Sequence, residues 1–230
     1  MSFRRTVTNL ASNAAARRAA PAIAARGVRQ FLDKAIDGFT GFPGAREVAR
    51  RHLARRRDVD QAIRDVLDQH VRLAGAQGFV ANIGGVAIMA VAIPANLAGI
   101  GLLQLRMVAT ILHLRGYNIN DPRVRTAALM TLLGEDEVKA AIKRNEFPGH
   151  PHDVAVASGD SDPRLLEQVG SHVTQALVTR VGGKHATLAV TKRIPVIGGA
   201  VSAGVDAFST YVIGRYATRE FPPHVMIERA

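Results

Sequence analysis

Apolar side chains recur along this chain at spacings of three and four rather than two. Val28, Phe31, Leu32, Ala35, Ile36 and Phe39 mark one face of a helix expected over 28–40, which Phe42-Pro43-Gly44 should break. A second helix, crowded with Arg50, Arg51, Arg55, Arg56 and Arg57, should end near Asp58. The Asp58 side chain is then placed to cap a third helix, whose buried stripe is Val59, Ile63, Val66, Leu67 and Val71. His52 and His70 sit beside these stripes, a position where histidine more often edges a core than holds a ligand. Asn120-Asp121-Pro122 reads as a helix start, a capping side chain before proline in the first turn, and Gly134 as its end. Asp136 is expected to cap a short charged helix running to Arg144. Residues 146–162, EFPGHPHDVAVASGDSD, hold no sustained period and read as a surface loop. Asp162-Pro163 opens another helix that Gly182-Gly183 should break, and Pro222-Pro223 stops the last one.

Two Gly-rich apolar segments stand out against this background. Residues 74–105 carry no charge before Arg106, and RIPVIGGAVSAGVDAFSTYVIGRYATREF runs from Arg193 to Phe221. In each, Ile-Pro is expected to open a helix, at Pro94 and at Pro195, with one charged residue about three turns on: Arg106 and Asp206. Gly198, Ser202 and Asp206 follow at i, i+4 and i+8. Small residues at that spacing, with Gly199 and, in the first segment, Gly78, Gly84 and Gly85, let helix backbones approach closely. The segments are therefore expected to pack together, with Arg106 and Asp206 forming a structural clamp, since an unpaired buried charge costs roughly 3–5 kcal/mol. Asn96, Gln104 and His113 are the other polar groups placed to line an apolar pocket there. A spanning helix needs about 20 apolar residues, and the run up to Pro94 only just reaches that length. Two surroundings stay open for this hairpin: one leaflet of a membrane, or the core of a soluble bundle.

Composition narrows the chemistry. The absence of cysteine excludes disulfides, thiolate metal sites and cysteine nucleophiles. Strand-like alternation is scarce and Ala, Leu and Arg favour helix, so the fold class is all-α: a helical bundle with the two Gly-rich segments packed centrally. Residues 1–27 form a basic, expectedly disordered extension without a secretory apolar core. The helical domain covers 28–221, and 222–230 is a tail. Net charge is uneven: residues 1–60 hold 13 Lys/Arg against 5 Asp/Glu, leaving only +3 of the total +11 for the rest. That asymmetry points to an anionic partner. Arg4, Arg5, Arg17, Arg18, Arg50, Arg51, Arg55, Arg56 and Arg57 are the expected contacts to lipid head groups. Nucleic acid is the less favoured anion, because few aromatic platforms and no zinc spacing accompany the charge. His150, His152 and Asp153 are a weak metal motif, and neither a metal nor a cofactor is expected.

KAIDG (Lys34–Gly38), GFVANIGG (Gly78–Gly85), VAIPANLAGI with LQLRM (Val91–Met107), LRGYN (Leu114–Asn118) and the Arg193–Phe221 segment together resemble the EcsC family of bacterial helical proteins. The family-like positions are Gly78, Gly84, Gly85, Pro94, Arg106, Pro195, Gly198, Gly199, Asp206 and Arg215, and Asn82 departs from the pattern. The resemblance runs from about residue 30 to 221. It implies membrane association and brings no catalytic assignment. The expected function is a membrane-associated, non-enzymatic accessory or lipid-interacting factor at the cytoplasmic face of a bacterial inner membrane, with a membrane protein such as a transporter as a further partner. The alternative is a soluble cytoplasmic hydrolase with its pocket around Arg106, His113 and Asp206.

Overall fold

The computed structural model describes residues 27–56, 58–83, 86–190 and 195–224, with side chains described outside 77–98, 177–178 and 180–202. The expectations for the basic extension, for Arg4, Arg5, Arg17, Arg18 and Arg57, and for Gly84 and Gly85 lie outside these residues. The chain is all-α, with nine helices and one two-stranded hairpin among the described residues. Helix α1 covers 27–36, and the strands β1 (Gly38–Phe39) and β2 (Phe42–Pro43) follow it. The remaining helices are α2 (Ala45–Arg56), α3 (Val59–Ile83), α4 (Val86–Leu114), α5 (Pro122–Leu133), α6 (Glu135–Lys143), α7 (Pro151–Val156), α8 (Pro163–Val190) and α9 (Pro195–Glu220).

Local signals set most helix starts. Asp58 accepts from the Gln61 amide at 2.7 Å, Asp121 from the Arg123 amide at 2.8 Å, and Asp162 from the Arg164 amide at 2.8 Å. Each caps a helix by satisfying an otherwise orphaned N–H. Four expectations are corrected. The first helix stops at 36 instead of 40, because the chain turns at Gly38 (φ +80°) into the hairpin, pairing Gly38 with Pro43 and Phe39 with Phe42. Gly134 itself, rather than Asp136, precedes α6. The 146–162 loop contains the short helix α7, started by Pro151 at its first position and by the His150 amide donating to Asp153 Oδ2 at 3.0 Å. Finally, α4 runs through Pro94 and α8 through Gly182-Gly183. Pro94 therefore lies inside a helix, whereas Pro195 opens one as expected.

Tertiary packing centres on α4, which touches α2, α3, α5, α8 and α9, while α9 packs most extensively on α3. From Ile100 to Leu112 every residue of α4 is buried apart from a half-buried Leu102, so this part of the apolar segment is protein core. Helix α5 is the second internal element, with Val124 and Thr126 through Leu133 buried. Three helices meet most closely at Gly214 of α9. A side chain there would collide with Leu67 of α3 and come within 3.1 Å of Met107 of α4, so only glycine fits without movement. Gln104 of α4 reaches across to Ser209 and Thr210 of α9, its amide nitrogen 3.1 Å from each hydroxyl oxygen. The described halves of the two Gly-rich segments thus pack together through small and polar residues.

Candidate functional site

Arg106 ends the charge-free run in the sequence, and folding takes it inside: it is 4% exposed. Its Nε–H donates to His70 Nε2 of α3 at 3.2 Å, and a terminal N–H donates to the Pro43 carbonyl at 3.3 Å. The guanidinium carbon stands 3.9 Å from the centroid of the Phe42 ring, a cation–π contact. One turn back on its own helix, Val66 O accepts from His70 Nδ1 at 2.7 Å. That bond places the His70 proton on Nδ1 and leaves Nε2 free to accept from Arg106. Burial, and then the charge of Arg106, together push the imidazole pKa down to about 3, so His70 is neutral at physiological pH. Burial also draws the Arg106 pKa down to about 10, which still leaves it a cation. Among the described residues, no carboxylate lies within ion-pair distance of it. The hairpin and a neutral imidazole take that place.

This arrangement corrects the expected Arg106–Asp206 clamp. Asp206 is also buried, at 2% exposure on α9, but the groups that contact the Arg106 guanidinium are His70, Pro43 and Phe42. The physical reason is direction: Arg106 faces the hairpin that leads into α2, whereas α9 packs on α3 and α4 through Leu67, Gln104 and Met107. The described polar groups of the alternative reading have separate surroundings. Gln104 is fully buried at the α4–α9 contact and His113 is exposed. The side chain of Asn96 lies outside the described residues.

Among the cavities lined by described residues, two neighbouring ones lie elsewhere. The larger, about 900 Å³, is lined by residues including Arg123, Phe147, Asp153, Asp160, Arg164 and Gln168, and a smaller one of about 340 Å³ adjoins it at Asn120 and Ser161. The Arg123 guanidinium is already engaged by Asp121 at 2.6 Å and by the Ala157 and Gly159 carbonyls, so it is a rivet for the 157–160 turn. The weak metal motif takes structural roles as well. Asp153 starts α7, and His152 Nδ1 lies 3.0 Å from the Tyr117 hydroxyl, which donates to Pro222 O at 3.1 Å. No group of three or more potential metal ligands occurs among the described residues.

The arginines expected to meet head groups are exposed on α2, but Arg50 and Arg51 share Glu47 at 2.5 and 2.6 Å, and Arg56 binds Asp65 at 2.5 Å. Arg55 is exposed too. Gly78 lies in α3, and Gly198, Gly199 and Ser202 lie in the first turns of α9. Their packing is outside the described side chains.

A feature that reading the sequence missed lies on α9. Its outward arc carries Gly204, Val205 (47% exposed), Phe208 (69%), Tyr211 (45%) and Val212 (42%), followed by exposed Arg215 and Arg219. These positions recur at three and four, so one face of the helix is apolar and then cationic. The signal was the phase of Arg215 and Arg219, which share the arc of Phe208 while Asp206 lies on the opposite side. Among the described residues, no helix is long and apolar enough to cross a membrane. Compared with known protein families, curated proteins and solved structures, the chain matches none.

Proposed function

We propose that this protein is a peripheral membrane-associated helical protein, a lipid-interacting accessory factor of the cytoplasmic face of a bacterial inner membrane. The observation that carries the reading is the outward face of α9. Half of the large apolar side chains that stand exposed among the described residues, Val205, Phe208, Tyr211 and Val212, gather on this one arc. Scattered exposed apolar residues are ordinary, but a contiguous strip marks an interaction surface. Two further facts support lipid as the surface it meets. The strip is continued by Arg215, and the whole chain carries a net charge of +11 concentrated in its first 60 residues. The resemblance to EcsC proteins agrees with this reading. A helix with an exposed apolar face and cationic flanks lies on a membrane rather than across it.

Fractionation of cells expressing the protein tests this. The expected result is sedimentation with membranes at low salt and release by high salt or alkaline carbonate without detergent. Full solubility from the outset would overturn membrane association, and retention until detergent would overturn its peripheral character.

A further inference from the structure

The cationic face of α2 and the apolar face of α9 lie on different helices, which pack on α3 from different directions. On α3, Gln69 and His70 face α2 and the hairpin: Gln69 Oε1 lies 2.6 Å from His52 Nε2, and His70 meets Arg106 beneath Pro43. Leu67 and Gly75 face α9, where they meet Gly214 and Ala207. At 100° per residue the two pairs of positions lie roughly 150° apart around α3. Helices α2 and α9 therefore pack on different sides of α3. An exposed charge is also screened beyond a Debye length of about 8–10 Å, which is less than the thickness of the intervening helix with its side chains.

Resting on the reading above, we infer that α9 is the seat: it lies in the plane of an anionic leaflet, with Phe208 in the head-group–acyl boundary and Arg215 on a lipid phosphate. Three observations argue for lipid. First, α9 itself places no carboxylate on the arc up to Arg215: Asp206, the acidic residue within the strip, is buried on the other side of the helix, and Glu135 of α6 pairs with Arg219 only at the far end. Second, Val205 to Val212 spans seven residues, about 10 Å along the axis, and Arg215 follows within a further turn. That distance lets a long side chain reach the phosphate level while the apolar residues stay below it. Third, the chain is cationic on both flanks of the apolar stretch: Lys192 and Arg193 immediately precede α9 in the sequence, and Arg215 follows the strip. Cationic flanks suit a helix lying in the interface. They oppose one entering end-on, because its leading end would carry charge into hydrocarbon.

The chain contains no tryptophan, so Phe208→Trp supplies a single reporter at an exposed position that tolerates the larger ring. Leu53→Trp, on the exposed side of α2, is the control. Both full-length proteins are mixed with vesicles of phosphatidylglycerol and phosphatidylethanolamine, and with vesicles of phosphatidylcholine alone. The expected result is a blue shift of Phe208→Trp with the anionic vesicles, quenched most by lipids brominated near the head group, and no shift for Leu53→Trp. Phe208→Asp, with an unchanged circular dichroism spectrum, should lower vesicle partition at least tenfold. Arg215→Gln should lower it about fivefold on anionic vesicles only. If the wild-type protein floats with vesicles while Phe208→Trp is unmoved, the inference falls and membrane association stands. If Phe208→Trp shifts with protein concentration in the absence of lipid, the face belongs to a second copy and the inference falls. If the wild-type protein does not float at all, membrane association falls with it.

Discussion

Acidification should destabilise this protein through His70, before most of its carboxylates titrate. In the fold His70 is neutral, its pKa held near 3 by burial and by the Arg106 cation, whereas in the unfolded chain it returns to about 6.5. Between those values the unfolded state binds a proton that the native state refuses. The contribution of His70 is therefore fully present above pH 6.5 and is lost as the pH falls toward 3. The slope is about 1.4 kcal/mol per pH unit, so roughly 2.5 kcal/mol should disappear between pH 7 and pH 4.5. Carboxylates such as Asp121, held below its usual range by Arg123, add losses at the acid end, so a reference is needed. His70→Gln provides one: its side-chain oxygen can still accept from Arg106, and it does not titrate. It should cost about 1–2 kcal/mol at pH 7. Urea unfolding of both proteins from pH 7 to 4.5 then isolates the histidine, with the wild-type advantage shrinking and reversing as the pH falls. A difference that stays constant to within about 0.5 kcal/mol over that range would refute the buried neutral imidazole.

Two other perturbations follow from the same structure. Gly38→Ala should destabilise by about 3 kcal/mol or more in urea unfolding, because φ is +80° and a Cβ would lie 2.5 Å from Gly44 N and 2.6 Å from Phe42 O. A loss under 1 kcal/mol would mean that the hairpin moves freely over Arg106. Asp121→Ala removes the cap of α5 and one partner of Arg123, and should lower stability by about 1–2 kcal/mol, read as a reduced thermal midpoint.

Much of the fold was legible because its signals are local. Asp58, Asp121 and Asp162 announce helix starts through bonds that close within two or three residues. Glycine and proline were harder to read, since tertiary packing decides whether they break a helix: α4 continues through Pro94 and α8 through Gly182-Gly183. The partners of Arg106 were hidden for a different reason. Which face of α4 it occupies depends on a four-residue sheet formed 60 residues earlier, and Phe42 carried no mark in the sequence beyond its place in a break. Arg106 and Asp206 are both buried, but the matching depth of the two charges in the sequence does not make them partners. The sequence does not single out Phe208, and the phase of α9 turns it outward.

The close approach of α3 and α9 at Leu67, Gly75, Ala207 and Gly214 also sets the order in which the chain can be completed. Gly75 and Ala207 are separated by 132 positions, so at about 5–20 residues per second the ribosome needs roughly 7–26 s to deliver the second after the first. During that interval α3 and α4 exist without the helix that covers them, and closing so long a loop is itself slow. A chain stopped before α9 would therefore not be a smaller working protein but one with its apolar interior open to whatever surface, lipid or chaperone, it meets first.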